Sequence, residues 1–132
     1  MDIFSDALTG LGIDVQFDHD NLFSCSLAKD NDDAGLLLSA YRDTESMSLR
    51  LSIMTRNGIT DRLDTTFWTE FAQMAMGPFR DEVGIGILDR TNKIAIYYSF
   101  QLSGQPQGHA MKIIEQLTET AEYWDEKLKP HF

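Results

Sequence analysis

The stretch that decides the fold runs from Glu82 to Leu128 and reads EVGIGILDRTNKIAIYYSFQLSGQPQGHAMKIIEQLTETAEYWDEKL. It begins with alternation, because valine or isoleucine takes turns with glycine as far as Ile87. A polar turn over Asp89 to Lys93 follows, and Ile94 to Leu102 is a second segment rich in β-branched and aromatic residues. This pattern predicts a β-hairpin.

The remainder of this stretch predicts a long amphipathic helix. A loop with Gly104, Pro106 and Gly108 separates it from the hairpin. Apolar residues then recur every three or four positions, which puts them on one face of a helix. They are Ala110, Ile113, Ile114, Leu117, Ala121, Trp124 and Leu128. Burial of each large side chain contributes about 1.5–3 kcal/mol, so we expect this helix to belong to the core or to a tight interface, and Pro130 to end it.

Two shorter helices are predicted before this stretch. Asp2 is the expected cap of the first, and glycines close it. Its apolar face consists of Ile3, Phe4, Ala7, Leu8 and Leu11. The second helix begins at Asp64 or Thr65 and ends at the Gly77-Pro78 pair. Its apolar positions are Phe67, Trp68, Phe71, Met74 and Ala75.

Three segments between these helices predict strands of an antiparallel meander. Phe23–Leu27 and Met47–Ile53 both alternate apolar with polar residues, so each has one buried side. Leu36–Tyr41 is more apolar, and we expect it to be more central in the sheet. Polar turns at Asp30–Asp33 and Asp43–Ser46 join the strands.

The order of elements is therefore α-β-β-β-α-β-β-α, with Asn57-Gly58 as the expected break before the second helix. We expect an α+β fold in which helices flank an antiparallel, twisted sheet. A chain of 132 residues is long enough for one domain with a core and too short for two. We therefore predict a single domain over residues 1–132.

The composition excludes several classes of protein. Apolar residues make up 42% of the chain, which argues against intrinsic disorder. The formal net charge of −10 argues against nucleic acid or an anionic membrane as a partner, because their phosphates would be repelled. Cys25 is the one cysteine, so no intrachain disulfide forms. The N-terminus lacks the basic region of a signal peptide, and we expect a cytoplasmic protein.

The chemistry-bearing residues form no recognisable catalytic or metal-binding pattern. The three histidines are far apart in the sequence. The Asn31-Asp32-Asp33 turn lacks the following glycine and the later glutamate of a calcium loop. Cys25 shares the apolar side of its predicted strand, and we expect it to be a small buried side chain. Paired acids such as Asp125 and Glu126 are expected to lie in solvent. We predict a protein without catalytic residues, cofactor or metal.

The predicted second helix carries more apolar surface than docking on one sheet requires. Its aromatic and methionine side chains suit either an intramolecular core or an interface, and the residues leave both open. Gly84 and Gly86 lie within a predicted strand and lack the lysine of a phosphate-binding loop. We expect them to let another chain or a helix approach that face closely.

The chain resembles the class I type III secretion chaperones, the family of the Tir chaperone. The resemblance rests on the order of elements and on short motifs. These are Ile3-Phe4-x-x-Ala7-Leu8-x-x-Leu11, Phe71-Ala72-Gln73-Met74, the glycine-containing hairpin from Gly84, and Ala121-Glu122-Tyr123-Trp124 with Leu128 after it. Small size, acidity and the lack of catalytic motifs agree with it.

The resemblance implies a homodimer that binds the N-terminal segment of a secreted effector in extended form. Its second helix and hairpin would supply the dimer contact, through Phe67, Trp68, Phe71, Met74, Gly84 and Gly86. Its first helix and sheet would bind the effector, through Ile3, Phe4, Leu8, Phe23, Leu36 and Leu38. An extended segment can also add a strand to a free sheet edge.

Two other classes of function remain compatible with the residues. The first is an immunity or inhibitor protein that neutralises a bacterial toxin by direct binding, since small acidic α+β domains suit that work. The second is a small enzyme or ligand-binding domain whose site is assembled from scattered polar residues. A dimer that holds an unstructured client would favour the chaperone over both.

Overall fold

The computed structural model describes residues 3–27, 35–88 and 90–129. Its helices are α1 (Ile3–Ala7), α2 (Thr65–Ala75) and α3 (His109–Leu128). Its strands are β1 (Leu22–Leu27), β2 (Leu36–Asp43), β3 (Ser48–Gly58), β4 (Gly84–Ile87) and β5 (Lys93–Gln101). The predicted order α-β-β-β-α-β-β-α is confirmed, and short 3-10 turns at Thr9–Leu11 and Gly77–Arg80 follow α1 and α2.

Local chemistry explains where α2 begins. The carboxylate of Asp64 accepts a hydrogen bond of 2.9 Å from the backbone N–H of Phe67, as expected of a capping residue. The expected cap Asp2, the turn Asp30–Asp33, the turn residue Asp89 and the helix stop Pro130 lie outside the described residues.

The five strands form one antiparallel sheet in the order β1-β2-β3-β5-β4. The predicted meander is confirmed, because β1 pairs with β2 and β2 pairs with β3. The predicted hairpin is confirmed as the β4–β5 pair. The central strand is β3, and β1 and β4 are the two edge strands. The expectation that Leu36–Tyr41 is the more central strand of the meander is wrong with respect to β3, because β5 pairs with the other side of β3 and leaves β2 next to an edge.

The core lies between one face of the sheet, here called the inner face, and the helices. α3 packs on β3 and β5, and α1 packs on α3. Every other residue of β2 and β3 points into this layer, as the period of two requires. The most deeply buried side chains include Leu8, Leu38, Leu49, Ile53, Ile94, Ile96, Leu117 and Trp124.

Two expectations from the sequence are wrong at the end of β3. The strand runs through Gly58 instead of breaking at Asn57, with a register shift between Met54 and Gly58. Asp125 is buried, with 1% of its surface exposed, although the sequence placed it on the solvent side of the helix. Its Oδ1 atom accepts hydrogen bonds of 2.9 Å from the backbone N–H groups of Arg56 and Asn57. The carboxylate thus satisfies amides that the shifted register leaves without a strand partner.

Arg56 completes this link between β3 and α3. Its guanidinium lies 3.0 Å from Glu122 and 3.1 Å from Asp125. Hydrogen bonding to Glu122, followed by that to Asp125, raises the pKa of Arg56 above its usual value. The buried carboxylate is therefore paired, as a buried charge must be.

Candidate partner-binding surfaces

A groove of about 740 Å³ lies at one end of the sheet, beside α1. We call it the α1 groove. Its apolar lining comes from α1, the turn just before β3, the end of β5 with the residue after it, and the start of α3. These residues are Ile3, Ala7, Met47, Phe100, Leu102, Ala110 and Met111. Among its lining residues, Asp6 and His109 are the ionisable ones.

Packing between α1 and α3 shapes this groove. Gly10 follows α1, and a Cβ atom there would lie 2.7 Å from Cγ of Met111. Glycine therefore allows the two elements to approach closely. On the far wall, the imidazole of His109 meets the ring of Phe100 edge-on at 5.0 Å. Ile3 remains 48% exposed at the rim, which leaves it available to a partner.

The predicted effector-binding residues separate into two groups. Ile3 is exposed, and Phe23 is half-buried on β1. The other four are core residues with at most 3% of their surface exposed, namely Phe4, Leu8, Leu36 and Leu38. For these four, a direct contact with a partner does not match their placement. They face the core because the apolar faces of α1 and β2 pack inside the molecule. The sequence does not reveal this, because core positions and groove positions both take apolar residues.

The edge of β1 is the second candidate surface. β1 pairs with β2 along its whole length, from Leu22 to Leu27, and no described strand pairs with its other side. Its inner-face side chains are half-buried, and burial raises the pKa of the Cys25 thiol. Strand addition at such an edge pairs the backbone of an extended partner.

A third surface combines α2, the 3-10 turn after it and β4; we call it the α2–β4 surface. Its exposed apolar residues are Trp68, Met76, Phe79, Ile87 and Leu88. Phe79 is 86% exposed, the highest fraction among the large apolar side chains described. Large exposed apolar side chains in one region are typical of interaction sites.

The predicted dimer residues on α2 only partly reach this surface. Phe67 is buried, and the rings of Phe67 and Phe71 meet Trp124 edge-on at 5.3 and 6.1 Å. The indole N–H of Trp124 donates to Sδ of Met74 at 3.2 Å. These three residues therefore anchor α2 to α3, and Trp68, which is 38% exposed, is the predicted residue that is most available to a partner.

The two glycines of β4 differ. At Gly84, a Cβ atom would lie 2.6 Å from Cζ of Tyr97 and 2.7 Å from Cγ of Pro78. The close approach expected at Gly84 is thus made by the chain itself. At Gly86, a Cβ atom would meet nothing within 4 Å among the described residues, so this glycine leaves open space.

Met76 and Phe79 belong to the excess apolar surface that the sequence indicates on and just after the second helix, but neither they nor Met47 are among the predicted site residues. Phe79 follows Pro78 in a 3-10 turn, where the periodicity of a helix or strand cannot predict whether a side chain faces the core or the solvent. Its signal was an aromatic residue just beyond a helix stop. For Met47 no signal existed, because the alternation of its strand placed it on the buried side.

A polar cluster ties α2 to α3 beside these aromatic contacts. The hydroxyl of Tyr123 donates to Glu70, and the ammonium group of Lys127 lies 3.3 Å from Glu70. Hydrogen bonding from Tyr123, then from Lys127, lowers the pKa of the Glu70 carboxyl. The cluster is half-exposed, so it orients the helices more than it stabilises them.

Neither a metal site nor a membrane span is evident in the described part of the chain. There, no three or more His, Cys, Asp and Glu residues lie together in a group that could hold a metal ion. None of the described helices is both long enough and apolar enough to cross a membrane.

Solved structures share this fold. A chain of the HopA1–SchA chaperone–effector complex matches with a TM-score of 0.69 and 16% identity, over 92% of this chain and 89% of that chain. A chain of the ExsC–ExsE complex matches with a TM-score of 0.69 and 16% identity, over 97% and 92%. A chain of the heterodimeric ExoU–SpcU complex from the type III secretion system of Pseudomonas aeruginosa matches with a TM-score of 0.69 and 12% identity, over 96% and 98%.

These matches confirm the α+β fold that the resemblance to type III secretion chaperones implied. No model of a protein family matches this chain, and no curated protein matches it in sequence. At these identities the likeness is one of fold.

Proposed function

We propose that this protein is a class I type III secretion chaperone. It binds the N-terminal extended segment of a secreted effector and keeps that segment soluble and competent for secretion. The observation that carries the proposal is the fold, which matches a chain of a chaperone–effector complex over 92% of this chain. A free strand edge and an apolar groove on the same molecule support it.

The mode of binding follows from where these two surfaces lie. Leu22 of β1 pairs with Tyr41, near the turn that leads into β3, and Met47 in that turn lines the α1 groove. The start of the β1 edge and the groove therefore lie at the same end of the sheet. An effector segment adds its backbone to β1 and places apolar side chains in the groove, with Ile3 and Phe23 as contacts. Binding energy alone holds the segment unfolded, so the protein needs no ATP.

The proposed active form is a homodimer that meets through the α2–β4 surface. Trp68 and Gly86 are the predicted interface residues that the free chain leaves accessible, and Phe79 adds the large apolar side chain with the highest exposed fraction among those described. Phe67, Phe71, Met74 and Gly84 act from beneath, because they hold α2 and the turn in place. We propose that this work takes place in the cytoplasm and involves no catalysis, cofactor or metal.

A binding experiment tests the function. The protein is co-expressed with the N-terminal segment of the protein that the neighbouring gene encodes. This client is chosen because the gene of such a chaperone usually lies beside the gene of its client. We expect a stable complex in which the segment stays protease-accessible and lacks the cooperative unfolding of a folded domain. Ile3→Asp should weaken the complex at least tenfold, because it places a charge at the apolar rim of the α1 groove.

The matched control is Ile13→Asp. Ile13 is 50% exposed, close to the 48% of Ile3, and it does not line the groove. Equal binding by both variants would contradict the placement of the effector. A complex that forms only with a folded toxin domain and abolishes its activity would instead identify an immunity protein.

A further inference from the structure

Met47 has a backbone conformation that its side chain does not favour. Its φ angle is +54°. Among the described residues, the other non-glycine residues with positive φ are Asn21, Asp81, Arg90 and Asn92. In this left-handed region the Cβ atom of any residue comes close to the backbone. Asparagine and aspartate offset this cost because their short polar side chains form local hydrogen bonds, which a methionine side chain cannot do. Met47 is the one apolar residue in this group.

The turn between β2 and β3 imposes this conformation. The carboxylate of Asp43 accepts hydrogen bonds from the backbone N–H groups of Glu45 and Ser46, at 3.1 and 3.3 Å. The carbonyl of Met47 then accepts a bond of 3.0 Å from the N–H of Leu102. The turn therefore holds its last residue in place from both sides, and glycine or asparagine would satisfy the same geometry at lower cost.

Packing of the Met47 side chain inside the molecule does not offset this backbone strain. The side chain remains 40% exposed and lines the α1 groove, as Met111 also does. Strained backbone that packing does not explain is a recognised sign of a functional position. A thioether side chain is flexible and polarisable, so it adapts to apolar side chains of different shape.

We propose that Met47 is a specificity-determining contact of the α1 groove, where it covers an apolar side chain of the extended effector segment. This inference rests on the proposed function. The occupant is an uncharged apolar side chain because the lining is mainly apolar, and its ionisable residues, Asp6 and His109, are exposed and half-buried, respectively, instead of lying deep in the groove. The groove also lies at the same end of the sheet as the start of the β1 edge.

The test uses a synthetic peptide, acetyl-Ser-Leu-Ser-Leu-Ser-Leu-Ser-amide, which alternates apolar side chains as an extended client does. Its analogue with asparagine in place of leucine is the control probe. Methionine methyl groups labelled with ¹³C report binding by NMR. We expect the leucine peptide to shift the signals of Met47 and Met111, and to leave those of Met54 and Met76 unchanged because neither lines the groove.

Two substitutions separate binding from strain. Met47→Gly should raise the midpoint of thermal unfolding by about 2–6 °C, because it relieves the strain of the positive φ angle. It should also lower the affinity for the leucine peptide about fivefold, because the apolar contact is lost. Arg90→Gly is the matched control, because Arg90 has a φ of +69° and does not line the groove. It should leave the affinity for the peptide unchanged.

The outcomes distinguish this inference from the function on which it rests. If Met47→Gly binds the peptide as the native protein does while Ile3→Asp no longer binds it, the role of Met47 is overturned and the groove remains the effector site. If the leucine peptide shifts neither Met47 nor Met111, the groove itself fails as the site. An unchanged or lowered unfolding midpoint of Met47→Gly would refute the strain on which the argument depends.

Discussion

Single buried residues decide how the elements of this protein are joined, and Asp125 is the clearest example. Its carboxylate bonds two backbone N–H groups of β3 and the guanidinium of Arg56. We predict that Asp125→Ala lowers the free energy of unfolding by about 3 kcal/mol, because it leaves buried donors and a cation without their acceptor. Chemical denaturation monitored by circular dichroism measures the change.

The neighbouring acid provides the control for this prediction. Glu126 is exposed and pairs with Lys129 at 3.0 Å on the surface. Its replacement by alanine should change the free energy of unfolding by less than about 0.5 kcal/mol. Similar losses for the two variants would show that the buried carboxylate has no special role.

The paired glycines of β4 give a second prediction for single residues. Gly84→Ala should destabilise the protein by about 1–3 kcal/mol, because its methyl group collides with Tyr97 and Pro78. Gly86→Ala should be neutral or slightly stabilising, because its methyl group enters open space and the unfolded chain loses freedom. Thermal unfolding compares the two variants. A larger loss for Gly86→Ala would mean that β4 is placed differently.

At the scale of elements, α2 contributes both to the core and to exposed apolar surface. One face holds Phe67 and Phe71 against Trp124. Trp68 lies at the border of this face, where its ring meets those of Phe67 and Phe71 edge-on and remains partly exposed. Met76 and Phe79, which follow the helix, are exposed as well. A charge at Phe71 would therefore damage the monomer as well as a dimer. Phe79 offers a cleaner probe, because with 86% of its surface exposed it contributes little to the fold of one chain.

We predict that Phe79→Ser weakens homodimerisation at least tenfold, as expected when a central aromatic anchor is removed. Its unfolding midpoint at a concentration where both proteins are monomeric should stay within about 1 °C of the native value. Sedimentation analysis over a range of concentrations measures the association. Ile13→Ser, which removes an exposed isoleucine elsewhere, is the control, and equal dimerisation of the two variants would remove the α2–β4 surface from the interface.

For the whole molecule, periodicity in the sequence was enough to predict the order of helices and strands and the meander. The strong stripe on α3 and the alternation within β1 and β3 indicate which side of each element faces the core. Periodicity does not separate a core from a groove. It therefore could not correct the effector-binding role that the resemblance implies for four residues that fill the core, namely Phe4, Leu8, Leu36 and Leu38. It also could not reveal Asp125 as buried, because a carboxylate is buried only when tertiary contacts supply its donors.

Three carboxyls with lowered pKa values make the stability of the molecule depend on pH in a definite direction. The pKa of Glu70 is lowered, first by the hydrogen bond from Tyr123. The pKa values of Asp18 and Asp43 are lowered mainly by backbone N–H groups, those of Leu22 and Ser46. A carboxyl whose pKa is lower in the folded state stabilises the fold above its ordinary pKa. This stabilisation is lost as the pH falls through the folded value.

We therefore predict that the free energy of unfolding changes little between pH 7 and pH 5 and decreases below the ordinary pKa values of 4.5 for Glu70 and 3.8 for the two aspartates. Tyr123→Phe removes the largest cause at Glu70, so this variant should lose less stability than the native protein between pH 5 and pH 3. Urea denaturation across this range measures both curves.

Tyr97→Phe, on the opposite face of the sheet, is the control and should follow the native curve. If the curve of Tyr123→Phe coincides with the native one, the bond to Glu70 does not contribute to the acid sensitivity, and the backbone-bonded aspartates remain to account for it.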